Sequence, residues 1–287
     1  MNTYVLQTTK ACKSFGKTEI LHDIDLSIER GEVYGLIGQN GAGKTTLLRL
    51  ISGLMKPTKG TVQLNTGKSF VGYMPQSCRF DDGYTAAATI NMFTKLRGGD
   101  LKESLMLGEK LHLDLTKKVK HLSPGQQKKM QMILAMTGDP DLYILDEPTA
   151  GLDPSATFEM KSIIKDIHKK GKSILISSHI LQDMDEICTN VAILEKGRLT
   201  YDNKLTSSYV FKTSPIAKEV LQALGKAYSI SSDSTGTTLI VQIEREQVPE
   251  LIISLNDFHV RIYEATSSSV KNLVQHELNI GEEAQRT

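Results

Sequence analysis

The stretch EVYGLIGQNGAGKTTLLRLISGL, residues 32–54, decides the reading of the fold. Its first part, EVYGLIG, is a short apolar run without alternation, as expected of a strand buried on both faces. Its last part, KTTLLRLISGL, has the spacing of an amphipathic helix. Between them GQNGAGKT (38–45) fits G-x-x-x-x-G-K-[ST], in the strand, loop, helix context that this pattern requires. The glycines let the backbone turn tightly enough for successive N–H groups to surround phosphates. Lys44 brings charge to the β- and γ-phosphates, Thr45 offers a hydroxyl to Mg²⁺, and the helix N-terminus adds its dipole. Strand, loop and helix together frame a mononucleotide-binding α/β unit.

Upstream, YVLQTTKACKSF and EILHDIDLSIE alternate in a strand-like way, with Ile24, Leu26 and Ile28 on one face, and predict an antiparallel β piece. Downstream, residues 77–121 carry helical rather than strand signals, in TAAATINMFTKL and LKESLMLGEKLHL, and a further helix runs through KKMQMILAM. LYILDE, a helix with Met160, Ile163, Ile164 and Ile167 on one face, then SILISSH and VAILEKG return to the buried-strand pattern. Beyond about residue 205 Ser and Thr clusters appear. The order becomes strand (YVFKT), helix (IAKEVLQALGKA), hairpin through DSTG, helix (VPELIISL), strand (VRIYEA) and helix (SVKNLVQHEL), compatible with a small split-βαβ unit.

The 287 residues, 39% of them hydrophobic, suffice for one large or two smaller cores. A formal net charge of +1 gives no electrostatic reason to expect a nucleic-acid partner. The basic run KDIHKKGK (165–172) reads as a helix C-terminus closed by Gly171. Cys12, Cys78 and Cys188 are too few and too scattered for a disulfide framework or a zinc site, and nothing at the N-terminus resembles a signal peptide, so a cytosolic chain is expected. No apolar run approaches the roughly 20 residues of a spanning helix, and any membrane role must work through another polypeptide.

Two further stretches carry chemistry. Asp146 and Glu147 end the buried strand LYILDE, at the edge where α/β sheets place their ligands. Asp146 can hold Mg²⁺ and Glu147 can polarise an attacking water. LSPGQQKK (122–129) reads locally as a capped helix start, with Ser123 as N-cap, Pro124 at the first helical position and Gln126 completing a capping box.

Taken together these residues resemble the ATP-binding cassette family. YMPQ resembles its glutamine loop, which implies that Gln76 stands near Mg²⁺ and the attacking water. LSPGQ resembles its signature motif, normally L-S-G-G-Q, with Pro124 in place of a glycine. AGLD resembles the D-loop with Asp153, and SSH ends on His179, which resembles the switch histidine. Phe15 stands where the family stacks an aromatic ring on adenine.

The resemblance implies an α/β P-loop cassette over residues 1–205, with an N-terminal antiparallel β subdomain and a helical insertion at about 77–137, followed by a small α+β accessory domain over 206–287. It implies ATP contacts from Phe15, Gly38, Gln39, Asn40, Gly41, Ala42, Gly43, Lys44, Thr45 and Thr46, and from Ser123, Gly125, Gln126 and Asp153. Thr45, Gln76 and Asp146 are the implied Mg²⁺ ligands, and Glu147, His179 and Gln76 the catalytic residues. It further implies a second ATP-binding subunit whose signature helix meets the γ-phosphate, an integral membrane permease as partner, and a place on the cytoplasmic face of the membrane. The insertion and the C-terminal extension resemble those of bacterial drug, antibiotic and lipid exporters. Lys128, one turn beyond the signature, adds positive field, with solvent as its default place. The alternatives are a soluble cassette ATPase acting on ribosomes or DNA, which would usually carry two cassettes or a long coiled coil with basic extensions, and a ligand-sensing regulatory ATPase.

Overall fold

A computed structural model describes residues 3–67, 71–179, 181–204, 208–233, 235–243 and 247–268. The chain divides into two compact units, Met1–Asn203 and Lys204–Thr287.

The first unit opens with two long strands, β1 (Tyr4–Phe15) and β2 (Thr18–Glu29), paired antiparallel around a two-residue turn at Gly16 and Lys17. In β2 the side chains of Ile24, Leu26 and Ile28 are buried and those between them exposed, the alternation that a half-buried strand needs. Strand β3 (Val33–Ile37) follows, then helix α1 (Lys44–Ile51). The strand β4 (Lys59–Leu64) adds to the other edge of β1 and completes the sheet order β2-β1-β4. Sequence reasoning did not anticipate β4. Of its residues only Val62 is even partly covered, so no hydrophobic alternation marks it. Backbone pairing holds it, and Gly60 permits the approach: at φ +75° a Cβ there would lie 2.1 Å from the carbonyl oxygen of Lys10.

The central sheet has the order β5-β6-β7-β3-β8-β9, with β5 (Gly72–Met74), β6 (Leu142–Asp146), β7 (Ser173–Ser178), β8 (Asn190–Glu195) and β9 (Arg198–Lys204). The pairs β5 with β6, β6 with β7, β7 with β3 and β3 with β8 are parallel. Every residue of β3, β6 and β7 is buried, which is why these strands read as unbroken apolar runs. Val5, Leu21, Ile24 and Leu26 share one core with Leu47, Leu48, Leu50 and Ile51 of α1 and with Leu36, Ile144 and Leu175 of the central sheet. Each such side chain stabilises the fold by about 1.5–3 kcal/mol. An eight-residue helix is marginal alone, so this packing holds α1 against β2 and β6.

Three helices fall between β5 and β6: α2 (Ala86–Arg97), α3 (Leu101–Lys110) and α4 (Pro124–Met136), which pack on one another. Their starts are capped by Thr85, Asp100 and Ser123, each accepting a hydrogen bond from a first-turn amide. Helix α5 (Pro154–Lys169) starts on Asp153 and ends at Gly171, φ +74°, whose N–H donates to the His168 carbonyl, as the basic run suggested. Helix α6 (Leu181–Ile187) precedes β8.

The second unit runs β10 (Ser208–Thr213), α7 (Lys218–Leu224), β11 (Ser229–Ser232), β12 (Thr238–Gln242), α8 (Val248–Asp257) and β13 (Ile262–Ser268). Its antiparallel sheet, in the order β11-β12-β10-β13, is the split-βαβ arrangement. Phe211, Leu239, Val241, Leu251 and Leu255 form its separate core. The helix expected over SVKNLVQHEL lies outside the described residues. Among the described residues no helix is long and apolar enough to cross a membrane.

Candidate functional site

The loop between β3 and α1 is shaped by close approaches. A Cβ on Gly38 would lie 2.5 Å from the Leu194 carbonyl oxygen, so the loop leaves β3 pressed against β8. The turn closes with the Ala42 N–H donating to the Gln39 carbonyl at 3.2 Å. It is tied to the end of β8 by the Gly197 N–H, which donates to the Ala42 carbonyl at 3.1 Å. Gly43, at φ +107°, caps α1 without any side-chain acceptor, and the first turn of α1 carries no acid. The first amides of α1 and its positive end are thereby left to an anion from elsewhere. Lys44 folds back over this loop: its Nζ donates to the carbonyls of Gly38 at 2.6 Å and Gln39 at 3.2 Å, and stands 3.8 Å from Oε1 of Glu147.

The loop opens onto a cleft of about 580 Å³ lined by Phe15, Ile20, Gln39, Asn40, Gly41, Gly43, Lys44, Thr45, Thr46, Gln76, Asp146 and Glu147. Residues far apart in the chain thus meet as expected, Gln76 just beyond β5 and both carboxylates at the end of β6. Phe15, at the tip of β1, is 50% exposed, with the Lys13 ammonium 5.4 Å from its ring centre, so it serves no core. Ile20 was not anticipated. Its only signal is an even spacing from Ile24, Leu26 and Ile28 in the sequence, and it is partly buried against their core.

Asp146 is fully buried. Its Oδ1 accepts from the Ser177 hydroxyl at 2.6 Å, and its Oδ2 has no partner among the described residues. Glu147 adopts φ +53°, with its N–H directed at the Ser177 carbonyl (3.2 Å) and hydroxyl (3.1 Å). His179, just past β7, brings Nδ1 to 2.5 Å from Oε2 of Glu147. Ser177 is the connecting residue that sequence reasoning passed over, although a serine inside the apolar strand SILISS was a visible anomaly. Among the described residues no three His, Cys, Asp or Glu side chains converge as a metal cluster, so any metal here draws on mixed oxygen donors such as Thr45, Gln76 and Asp146.

The remaining expected residues do not line this cleft. Gly38 and Ala42 shape the loop from beneath. Ser123, Gly125 and Gln126 form the start of α4 as a complete capping box: the Ser123 Oγ accepts from the Gln126 N–H at 3.3 Å, and the Gln126 Oε1 from the Ser123 N–H at 3.2 Å. Pro124 occupies the first helical position, where a missing N–H costs nothing. Asp153 caps α5 through the Ala156 N–H at 2.9 Å. One expectation is overturned: Lys128 is not a solvated lysine. It is half-buried and its Nζ donates to the Glu147 carbonyl.

A family model described as ABC transporter matches residues 21–150. The chain is 34% identical over 209 residues to the bacitracin transport ATP-binding protein BcrA of Enterococcus faecalis, a match spanning 68% of each chain. It is 31% identical over 217 residues to the Nod factor export ATP-binding protein I of Cupriavidus pinatubonensis, spanning 70% of this chain and 67% of that relative. A solved structure described as the ATP binding subunit of an ABC transporter superposes with a TM-score of 0.65 at 26% identity, covering 77% of this chain and 93% of its own. Likeness of this extent, in sequence and in fold together, makes the chain a member of the ABC transporter family, an ATP-binding protein whose enzymatic activity is ATP hydrolysis.

Proposed function

We propose that the chain powers export by hydrolysing ATP on behalf of separate integral membrane permease subunits, as a peripheral protein on the cytoplasmic face of the membrane. The name of one relative, for bacitracin transport, supports a transporter, and that of the other, for Nod factor export, supports export. In this reading residues 1–205 are the ATPase cassette and residues 206–287 an accessory domain.

The observation that carries the reading is the division of the motif residues. Lys44, Thr45, Gln76, Asp146 and Glu147 face one cleft, while Ser123, Gly125, Gln126 and Asp153 stand away from it. The first turn of α4 carries no acid, which leaves the positive end of the helix open to an anion, and a second copy of the chain would supply that anion as its bound γ-phosphate. Two chains would then close over two ATP molecules and reopen after hydrolysis, a ligand-driven population shift.

Within the cleft the amides of residues 38–46 and the Lys44 ammonium bind the phosphates, and Phe15 stacks on the adenine. The donor set fits Mg²⁺, because a fully buried carboxylate oxygen of Asp146 lacks a partner among the described residues and Thr45 and Gln76 add neutral oxygens on the same cleft. Bound there, Mg²⁺ supplies charge neutralisation to the β- and γ-phosphates. Glu147 takes the proton of the attacking water, and His179 holds its carboxylate in line.

Affinity purification of the tagged chain from membranes in mild detergent tests the reading. An integral membrane protein should co-elute in fixed ratio, and ATPase activity should rise when the pair is reconstituted in lipid. Recovery with ribosomes or DNA, and with no membrane protein, would overturn it.

A further inference from the structure

Glu147 holds a backbone conformation that costs an L-residue free energy. Its φ of +53° lies in the left-handed region, uncommon outside Gly, Asn and Asp, and Pro148 behind it further disfavours a helical-type backbone. Such a residue persists where its surroundings over-determine it. On the N–H side Glu147 is held by the Ser177 carbonyl and hydroxyl of β7. On the carbonyl side two donors converge, the Ala150 N–H at 3.3 Å and the Lys128 ammonium from α4.

The lysine is the unexpected partner. Burial pushes its ammonium down from the usual lysine range, opposed by the nearby charges of Glu147 and Asp146. A surface lysine would keep its hydration, whereas this half-buried one gives up part of it and directs its ammonium at a backbone carbonyl beside two carboxylates. Lys128 follows Ser123 by five residues, about 7.5 Å along α4 and about 140° round it. That rotation is why the Ser123 end can stand away from the cleft while Lys128 reaches the back of Glu147.

We infer that Lys128 is a positioning residue for Glu147: by holding the Glu147 carbonyl it fixes the left-handed turn that aims the carboxylate at the attacking water. The inference rests on Glu147 being the general base. It gives α4 two attachments, the capped start at Ser123 and the anchor of this chain's own base, so a displacement of α4 is felt at Glu147.

The test compares ATP hydrolysis by the full-length chain and its Lys128→Met, Lys128→Arg and Glu147→Gln variants, with amide hydrogen exchange followed in the segment 145–152. Lys128→Met should lower kcat about tenfold while KM for MgATP stays within about twofold, and Lys128→Arg should recover at least about half of the lost rate. The amides of Glu147 and Ala150 should exchange faster in Lys128→Met and near normally in Lys128→Arg, a readout independent of turnover. If Lys128→Met fails to fold, Lys128→Gln replaces it. A wild-type kcat, or unchanged exchange at 145–152, in a chain whose Glu147→Gln variant is inactive overturns the inference. Wild-type hydrolysis by Glu147→Gln overturns instead the assignment of the base on which it rests.

Discussion

Nδ1 of His179 lies 2.5 Å from Oε2 of Glu147, a contact between a ring that is 51% exposed and a carboxylate that is 4% exposed. The other carboxylate oxygen faces the Lys44 ammonium at 3.8 Å. Glu147 is therefore held on both oxygens, by a side chain from the solvent side and by the lysine of the phosphate loop. A carboxylate so placed keeps one orientation, as the general base proposed above would need.

Replacing His179 with Ala frees Oε2 without touching the phosphate loop. Hydrolysis should fall by about 10²-fold, within the range for a positioned proton-transfer group, while ATP affinity changes little. Single-turnover hydrolysis beside equilibrium nucleotide titration separates the two. A normal turnover rate would remove His179 from the machinery.

Ser177→Ala addresses the residue that joins the two carboxylates. Its hydroxyl is the one hydrogen-bond donor to Asp146 among the described residues, and it also accepts from the Glu147 N–H. Without it a fully buried carboxylate has no hydrogen bond in the free chain, so stability should drop by about 1–3 kcal/mol. Urea denaturation should show a lower midpoint at unchanged slope. Saturating MgATP should offset part of the loss by giving Asp146 a partner and by ligand linkage. An unchanged midpoint would mean that the hydroxyl is dispensable.

Where burial is two-sided or regular, composition alone exposes it: β3, β6 and β7 are apolar runs and β2 alternates. The phosphate loop is legible for a related reason, since close backbone approach admits only glycine at Gly38. Elements held by backbone pairing leave no such trace. Strand β4 buries almost nothing, and β5 is three residues long, too short for any period. Strand β9 follows β8 through Lys196 and Gly197, both at positive φ, a hairpin turn more often announced by Asn-Gly or Asp-Gly. In the site, residues that face the cleft, Ile20 apart, carried recognisable motifs. Ser177 and Lys128 stand behind, on a carboxylate and a carbonyl; a serine in an apolar strand marks Ser177 as unusual without saying what it bonds, and no local pattern distinguishes Lys128 from a helix-surface lysine.

Phe15 lines the cleft without contributing to the core. Half-exposed at the tip of β1, it can be removed at little cost to the fold. Phe15→Ala should weaken nucleotide binding by about 1–3 kcal/mol if its ring stacks on the base as aromatic side chains do on nucleic acids. The loss should be similar for ATP and ADP, because the ring is remote from the γ-phosphate. Affinity unchanged for both nucleotides would place the adenine elsewhere.

The pairing of two chains makes the most demanding prediction. Glu147→Gln keeps the shape of the site and removes the proton acceptor, so ATP should bind while hydrolysis falls by about 10²–10⁴-fold. If the proposed closed state ends with hydrolysis, it should then accumulate, and light scattering with MgATP should report a dimer. The start of α4 decides whether that dimer is the proposed one. Ser123 is exposed, and among the described residues its hydroxyl is engaged only within its own capping box, so Ser123→Arg keeps the helix while losing a cap worth about 1 kcal/mol. Added to Glu147→Gln, it sets a long side chain where the partner's phosphate would sit and should abolish the dimer with ATP affinity intact. A double variant that still pairs would move the contact away from α4. A Glu147→Gln chain that stays monomeric even in the membrane complex, with no cross-link between cysteines placed at 123 and in the opposite phosphate loop, would refute closure as the way ATP drives this transporter.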